Sequence, residues 1–412
     1  MIKGKLALHN RNTKSMNKNY LELFKKSTDQ LITENRYREF LDISRICGQF
    51  PYAINNQNGK KIIVWCSNDY LGMGQNELAI DEAAKALKSY GLGSGGTRNI
   101  SGNNRLTVEL EKEVAKLHGK EAALVFVSGY LANDTAITTL AKIIPDLVIF
   151  SDQKNHASII VGIKNSCLKK EIFRHNDMAH LEELLKNYSV ETLKIIIFES
   201  VYSMDGDFGK VKEITDLAQK YNALTYIDEV HGVGLYGKTG AGLCEELGLS
   251  DKVDIIQGTF AKAYGCIGGY ISGSAKIIDA IRSSASGFIF TTSLPPVISA
   301  AILANLKHLK NSPDERKIHQ KQVAKLKTAL KNAGIKIVEN QSHIVSVVIG
   351  DAKRSQEISK RLLLEFNLYV QHINYPTVAK GDERLRITVT PLHSDEMIED
   401  LVGSLTEVFK QS

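Results

Sequence analysis

The stretch "DIIQGTFAKAYGCIGGYISG", residues 254–273, holds one lysine, Lys262, inside an apolar, glycine-rich run with no other charge between Asp254 and Lys276. Its pattern predicts a buried strand, a turn and a second buried strand. An ammonium taken out of water is costly unless it is paired or neutralised. A surface turn with a solvated lysine is the bland alternative, and the apolar flanks speak against it. Lys262 is therefore expected to use its nitrogen for chemistry.

The segments around this stretch predict its frame. Short Val/Ile/Leu runs ("ALVFV", "LVIF", "IIIFES", "LTYID", "VDIIQG", "GGYISG") alternate with helical patterns such as "MAHLEELLKNY" and "VKEITDLAQKY". Such alternation argues for an α/β fold with a large, mainly parallel sheet. "SLPPVISAAILANLKHL" reads as a long helix entered through Pro295 and Pro296, followed by a charged helix from Asp314 to Gly334. Strands near "HIVSVVIG", "LYVQHI" and "LRITVT", with helices near 353–366 and 394–410, predict a smaller C-terminal α/β domain. The expected division is an arm over 1–70, a large domain over 71–302 and the C-terminal domain over 303–412.

The chain has 412 residues, and 52 basic against 46 acidic side chains leave a net charge of +6. That bias suits anionic substrates and lacks the basic stripe of a nucleic-acid binder. Five separated cysteines (Cys47, Cys66, Cys167, Cys244, Cys266) form no CxxC pair, which suits a reducing compartment such as the bacterial cytoplasm. No apolar run reaches the length of a membrane helix. The opening "MIKGKLALHNRNTKSMNKN" is basic without acids; it reads as a disordered lead, with Met16 a plausible start.

Two stretches match GxGxxG, at Gly91–Gly96 and Gly232–Gly237. A dinucleotide fingerprint must follow a strand directly and open a helix. The first follows a helical pattern and the second is offset by "DEVH", so a nicotinamide dehydrogenase is disfavoured. "HNDMAH" spaces His175 and His180 five apart, and no metal-ligand cluster accompanies them.

Ligands in α/β sheets sit beyond the carboxyl ends of strands. Asp228 ends one predicted strand with His231 three residues on; Ser151 and His156 follow another; Glu199 and Ser203 follow a third. Ser128 and Gly129 end a fourth and open a helix whose free N–H groups suit an anion. Any one of these would be unremarkable as a cap or core residue, but their convergence on Lys262 predicts a pocket. A lysine forms a Schiff base with pyridoxal phosphate, which needs an acid against its ring nitrogen, a phosphate cradle and a wall against its ring. Asp228 suits the ring nitrogen, His231 the ring hydroxyl and His156 the ring face. The amides near Gly129 and Tyr130, with the Thr259 hydroxyl, suit the phosphate.

At these residues the chain resembles the α-oxoamine synthases, pyridoxal-phosphate enzymes of the aminotransferase-like fold type I that join an amino acid to an acyl-CoA. The resemblance runs from about Tyr20 to the C-terminus. Its motifs are "YREFLDISR", "VWCSNDYLGMGQ", "GSGGTRNISG", "HGKEAALVF", "SDQKNHASII", "FESVYSMDGDFG", "YIDEVHGVG", "GFIFTTSLPP", "VQHINYPTV" and "RLRITVTP". "GSGGTRNISG", "FESVYSMDGDFG" and "INYPTV" resemble the branch that condenses glycine with succinyl-CoA; branches making 8-amino-7-oxononanoate or 2-amino-3-ketobutyrate are the alternatives.

The resemblance implies that Lys262 is the cofactor lysine, Asp228 the ring-nitrogen partner and His156 the stacking, catalytic histidine. It places Ser203, His231, Thr259, Gly129 and Tyr130 around the cofactor, and brings Thr291 or Thr292 to the phosphate from the second subunit of a homodimer. Arg386 then grips the glycine carboxylate with Asn68 nearby. Arg38, Thr97, Asn99, Ser151, Lys170 and Thr377 are implied to contact the succinyl group or its CoA ester. A catalytically silent partner subunit of this family would lack the lysine, and Lys262 is present. Two departures stand out: "GTFAKAYG" where the family has "GTLGKAFG", and Gly232 where alanine is common.

Overall fold

The computed structural model describes residues 18–410; the predicted N-terminal lead and Met16 lie outside them. The chain opens with α1 (Lys18–Thr33), then β1 (Ile43–Arg45), β2 (Tyr52–Asn55) and β3 (Lys61–Val64), before α2 (Glu77–Tyr90) and α3 (Arg105–Leu117). Gly119, at φ +63°, supplies the left-handed stop after α3 that its position predicts. Alternation then begins: β4 (Ala122–Phe126), α4 (Gly129–Ile143), β5 (Val148–Asp152), α5 (Ala157–Ser166), β6 (Lys170–Phe173) and α6 (Met178–Leu185). It continues through β7 (Lys194–Glu199), α7 (Val211–Tyr221), β8 (Ala223–Asp228), α8 (Leu243–Glu246), β9 (Ile255–Thr259) and β10 (Gly269–Gly273).

These strands form a seven-stranded sheet in the order β4-β10-β9-β8-β7-β5-β6. Only β10 runs against its neighbours, so the sheet is mainly parallel, as the alternation predicts. Every residue of β7 is buried, as expected of a strand covered on both faces. Ile195 and Ile197 pack with Ile137 of α4 and Ile159 of α5, while Ile196 and Phe198 pack with Leu181 of α6 and Ile214 of α7.

The rest of the chain runs through α9 (Ala275–Ser284), α10 (Ser286–Ile289), α11 (Pro296–Asn311) and α12 (Asp314–Asn332). It ends with β11 (Val345–Val348), α13 (Ala352–Phe366), β12 (Leu368–Tyr369), β13 (Gln371–Ile373), β14 (Arg384–Ile387) and α14 (Asp395–Lys410). Ile302, Leu306 and Leu309 of α11 pack in one cluster with Leu110 and Val114 of α3. β3 pairs in parallel with β12, and Trp65 is fully buried in the C-terminal core with Leu326 and Leu362.

Candidate active site

The carboxyl ends of β5, β7, β8 and β9 carry Asp152, Glu199, Asp228 and Thr259 along one rim of the sheet. Lys262 sits in the tight connection from β9 to β10, held by hydrogen bonds from the Phe260 amide to Gly268 O and from the Cys266 amide to Phe260 O. The turn closes at Gly265, whose φ of +64° and contact with Gly74 leave no space for a side chain.

Lys262 Nζ lies 2.9 Å from His231 Nε2, and the Tyr70 hydroxyl lies 2.8 Å from His231 Nδ1. Tyr70 also accepts from Arg386 Nη2 at 2.8 Å. Arginine only donates, so Tyr70 accepts there, and its hydroxyl also donates to or accepts from His231 Nδ1 according to the tautomer of the ring. The other ring nitrogen, Nε2, faces Lys262 Nζ. Burial draws Lys262 down to about 8, with Arg386 adding to the effect against the pull of Asp228. Burial likewise holds His231 well below its ordinary value, with Lys262 and Arg386 reinforcing it.

Asp228 is buried, and its oxygens accept from Asn133 Nδ2 and from the Val230 amide, both at 2.8 Å. Asn133 is fixed in turn by the Tyr226 hydroxyl at 2.8 Å. His156 precedes α5; its amide donates to Glu199 Oε1 at 2.5 Å and its Nδ1 lies 2.7 Å from Ser158 Oγ. Burial lowers His156, the Asp228 charge opposing it, and lifts Glu199 well above the usual carboxylate range, Asp228 adding to the lift. Glu199 and Asp228 sit side by side across the β7–β8 register.

Ser128 caps α4 by accepting from the Leu131 amide at 3.1 Å. A Cβ on Gly269 would come within 2.5 Å of Gly129 N, so β10 and the start of α4 meet backbone to backbone. Thr259 lies against Gly129 and donates to Gly268 O at 2.7 Å, while Tyr130 is exposed. An anion fits this helix start. The set as a whole suits a cofactor with an aldehyde, a basic ring nitrogen and a phosphate.

Arg386 divides its guanidinium among Tyr70, Asn68 Oδ1 at 3.2 Å and, through Nε, the Ser203 carbonyl at 3.1 Å. Arg38 is exposed and reaches the Thr377 hydroxyl at 3.4 Å. Thr97 bridges to Thr292, its own hydroxyl buried without a partner, and Asn99 is exposed. Thr291 donates to Gly287 O, and neither Thr291 nor Thr292 bonds the α4 start of its own chain.

Two further expected substrate residues lie on the strands β5 and β6. Ser151 is 2% exposed, its hydroxyl between Asp152 O and Asn155 Nδ2, because it belongs to the sheet core. Lys170 opens β6 opposite Ile149, at the amino end of the sheet and away from Lys262. Tyr70 and Asn133 had not been singled out from the sequence; Tyr70 lies inside "SNDYLG" and Asn133 one turn beyond Gly129. Gly232 has a local cause: a Cβ there would sit 2.0 Å from Glu229 Oε2. No group of metal-ligating side chains occurs among the described residues.

The family model for aminotransferase class I and II matches residues 60–405. The chain is 56% identical over 390 residues to 5-aminolevulinate synthase of Rickettsia bellii, covering 95% of this chain and 94% of that one. It is 50% identical over 392 residues to 5-aminolevulinate synthase of Bradyrhizobium diazoefficiens, with 95% and 96% covered. A lysine-to-alanine variant of serine palmitoyltransferase from S. paucimobilis, solved with a bound PLP–myriocin aldimine, superposes with a TM-score of 0.87 at 27% identity, covering 95% of this chain and 98% of that one. The chain belongs to the aminotransferase class I and II family and, within it, to the 5-aminolevulinate synthases.

Proposed function

We propose that the protein condenses glycine with succinyl-CoA, releasing CoA and CO2 and forming 5-aminolevulinate, the entry to tetrapyrrole synthesis. The observation that carries this reading is the continuous line Arg386–Tyr70–His231–Lys262, which joins a buried guanidinium to a buried lysine amine. Pyridoxal phosphate, when bound here, supplies an electron sink for the pair left on the glycine Cα.

The protein's own residues do the rest. Asp228 stands as the anion for the ring nitrogen, kept in place by Asn133 and the Val230 amide. His156 walls the ring face, and the Ser128–Tyr130 amides hold the phosphate. Arg386, steadied by Asn68 and Ser203, binds the glycine carboxylate as a planar fork. Lys262, its hold on a proton weakened by burial, takes the Cα proton and later returns one. Arg38 and Thr377 receive the far carboxylate of the succinyl group, and Thr97 limits room beside the amino acid to glycine.

The working unit is a homodimer. Leu92, Ile100 and Phe290, each more than two-thirds exposed, cluster in sequence around Thr97 and Thr291–Thr292, an apolar face suited to a second copy. That copy delivers Thr291 or Thr292 to the phosphate. No described helix is long and apolar enough to cross a membrane, and the relatives above are bacterial; the bacterial cytoplasm is the proposed compartment.

Supplying glycine, alanine or serine with succinyl-, acetyl- and pimeloyl-CoA and identifying each product tests the reading. 5-Aminolevulinate from glycine and succinyl-CoA is expected as the main product; a preference for another pair would overturn it.

A further inference from the structure

The segment "RHND", 174–177, plays no part in the chemistry above, yet it makes an unusual contact. His175 Nδ1 lies 2.8 Å from Asp152 Oδ1, and its Nε2 lies 2.6 Å from Asp207 Oδ2. Carboxylates only accept, so both ring nitrogens carry protons and the ring is an imidazolium between two anions. Burial alone would lower His175, but the two carboxylates outweigh it and push it up to about 9. The Tyr202 ring closes one side edge-on, with centroids 4.4 Å apart. Asn176, at φ +53°, ties the same parts together: its amide donates to Asp152 Oδ2 and its side chain to Asp207 Oδ2 and Phe208 O.

What His175 pins is the loop from Tyr202 to Phe208. The other side of that loop meets the C-terminal domain: Ser203 O accepts from Arg386 Nε, and Met204 O accepts from Arg384 Nη1 and Ser346 Oγ. Nearby charges are already matched. Lys154 and Arg384 pair with Asp205, Arg174 pairs with Asp177, and His180 accepts from the Arg174 amide. Asp152 and Asp207 are thus the anions left facing the ring.

We propose that charged His175 is a positioning residue for substrate binding: it fixes the loop whose Ser203 carbonyl aims the Arg386 guanidinium at the amino-acid carboxylate. The inference rests on the reading of Arg386 as that grip.

The test is glycine titration of the pyridoxal-phosphate holoenzyme, followed by its visible absorbance from pH 7 to 10, for wild type, His175→Gln, Asp207→Asn and Arg386→Lys. His175→Gln should raise the glycine Kd about tenfold or more, with cofactor content unchanged and kcat at saturating glycine within about threefold. Asp207→Asn keeps an acceptor but removes an anion, so the alkaline weakening of glycine binding should begin about one pH unit lower than in wild type. This arm decides the matter if His175→Gln fails to fold. Deprotonation of glycine itself is common to all variants and cancels in the comparison. Unchanged Kd and unchanged alkaline limb in both variants, with Arg386→Lys still weakening glycine, would overturn the role of His175 alone. Unimpaired glycine binding by Arg386→Lys would overturn the underlying reading instead.

Discussion

Tyr70 takes a hydrogen bond from Arg386 at 2.8 Å and also lies 2.8 Å from His231 Nδ1, whose other nitrogen faces Lys262 Nζ at 2.9 Å. Substrate binding and the state of the amine are thereby coupled through a single phenol.

Tyr70→Phe should therefore damage both functions. The change removes a charge-assisted bond and leaves His231 Nδ1 unpartnered in a buried site, a loss of roughly 1.5–3 kcal/mol. Steady-state kinetics should show kcat/KM for glycine falling about tenfold or more, with KM rising. Wild-type kcat/KM would refute the coupling.

Asp228→Asn preserves the shape of the site and removes its anion. Asparagine keeps one acceptor for Asn133 or the Val230 amide and loses the other bond, so cofactor content is measured beside turnover. Turnover should fall by about a hundredfold or more, because charge that develops on the ring loses its counterion. A kcat within a few-fold of wild type would show that the ring nitrogen does not depend on this carboxylate.

The three strand-end residues Asp228, His156 and Lys262 were legible because polar side chains interrupt apolar runs there. The sheet was legible because β7 and β8 have mostly apolar centres between polar ends. Tyr70 and Asn133 were harder to find, since each owes its role to a partner more than 90 residues away in the chain. β3 finds its partner β12 about 300 residues later, a pairing that local periodicity does not carry. Ser151 sits at a strand end like the others, but pleat direction turns its side chain into the core.

Buried histidines set a second, separate expectation. Burial holds His118 and His393 down at about 3 and His319 at about 4. Unfolded, each would titrate near 6.5. The unfolded chain then binds protons that the folded chain refuses, so their contribution is present above about pH 6.5 and lost as pH falls towards 4. The buried carboxyls of Asp69, Glu199 and Glu229, held up by burial, act in the opposite sense. Imidazole NMR resolves the histidines directly: their resonances should stay neutral from pH 7.5 to 5. Midpoints near 6.5 would contradict their enclosure.

Phe290 is 78% exposed beside Thr291 and Thr292. Phe290→Asp should place a charge at the proposed subunit contact, yielding a monomer by sedimentation with activity reduced about a hundredfold. A wild-type protein that sediments as a fully active monomer would remove the second copy from the account.

The most direct measurement is borohydride reduction of the protein with bound pyridoxal phosphate, then proteolysis and mass spectrometry. The account predicts one stable pyridoxyl adduct, on the peptide containing Lys262, and none after Lys262→Ala. A label at another lysine, or no label at all, would contradict it.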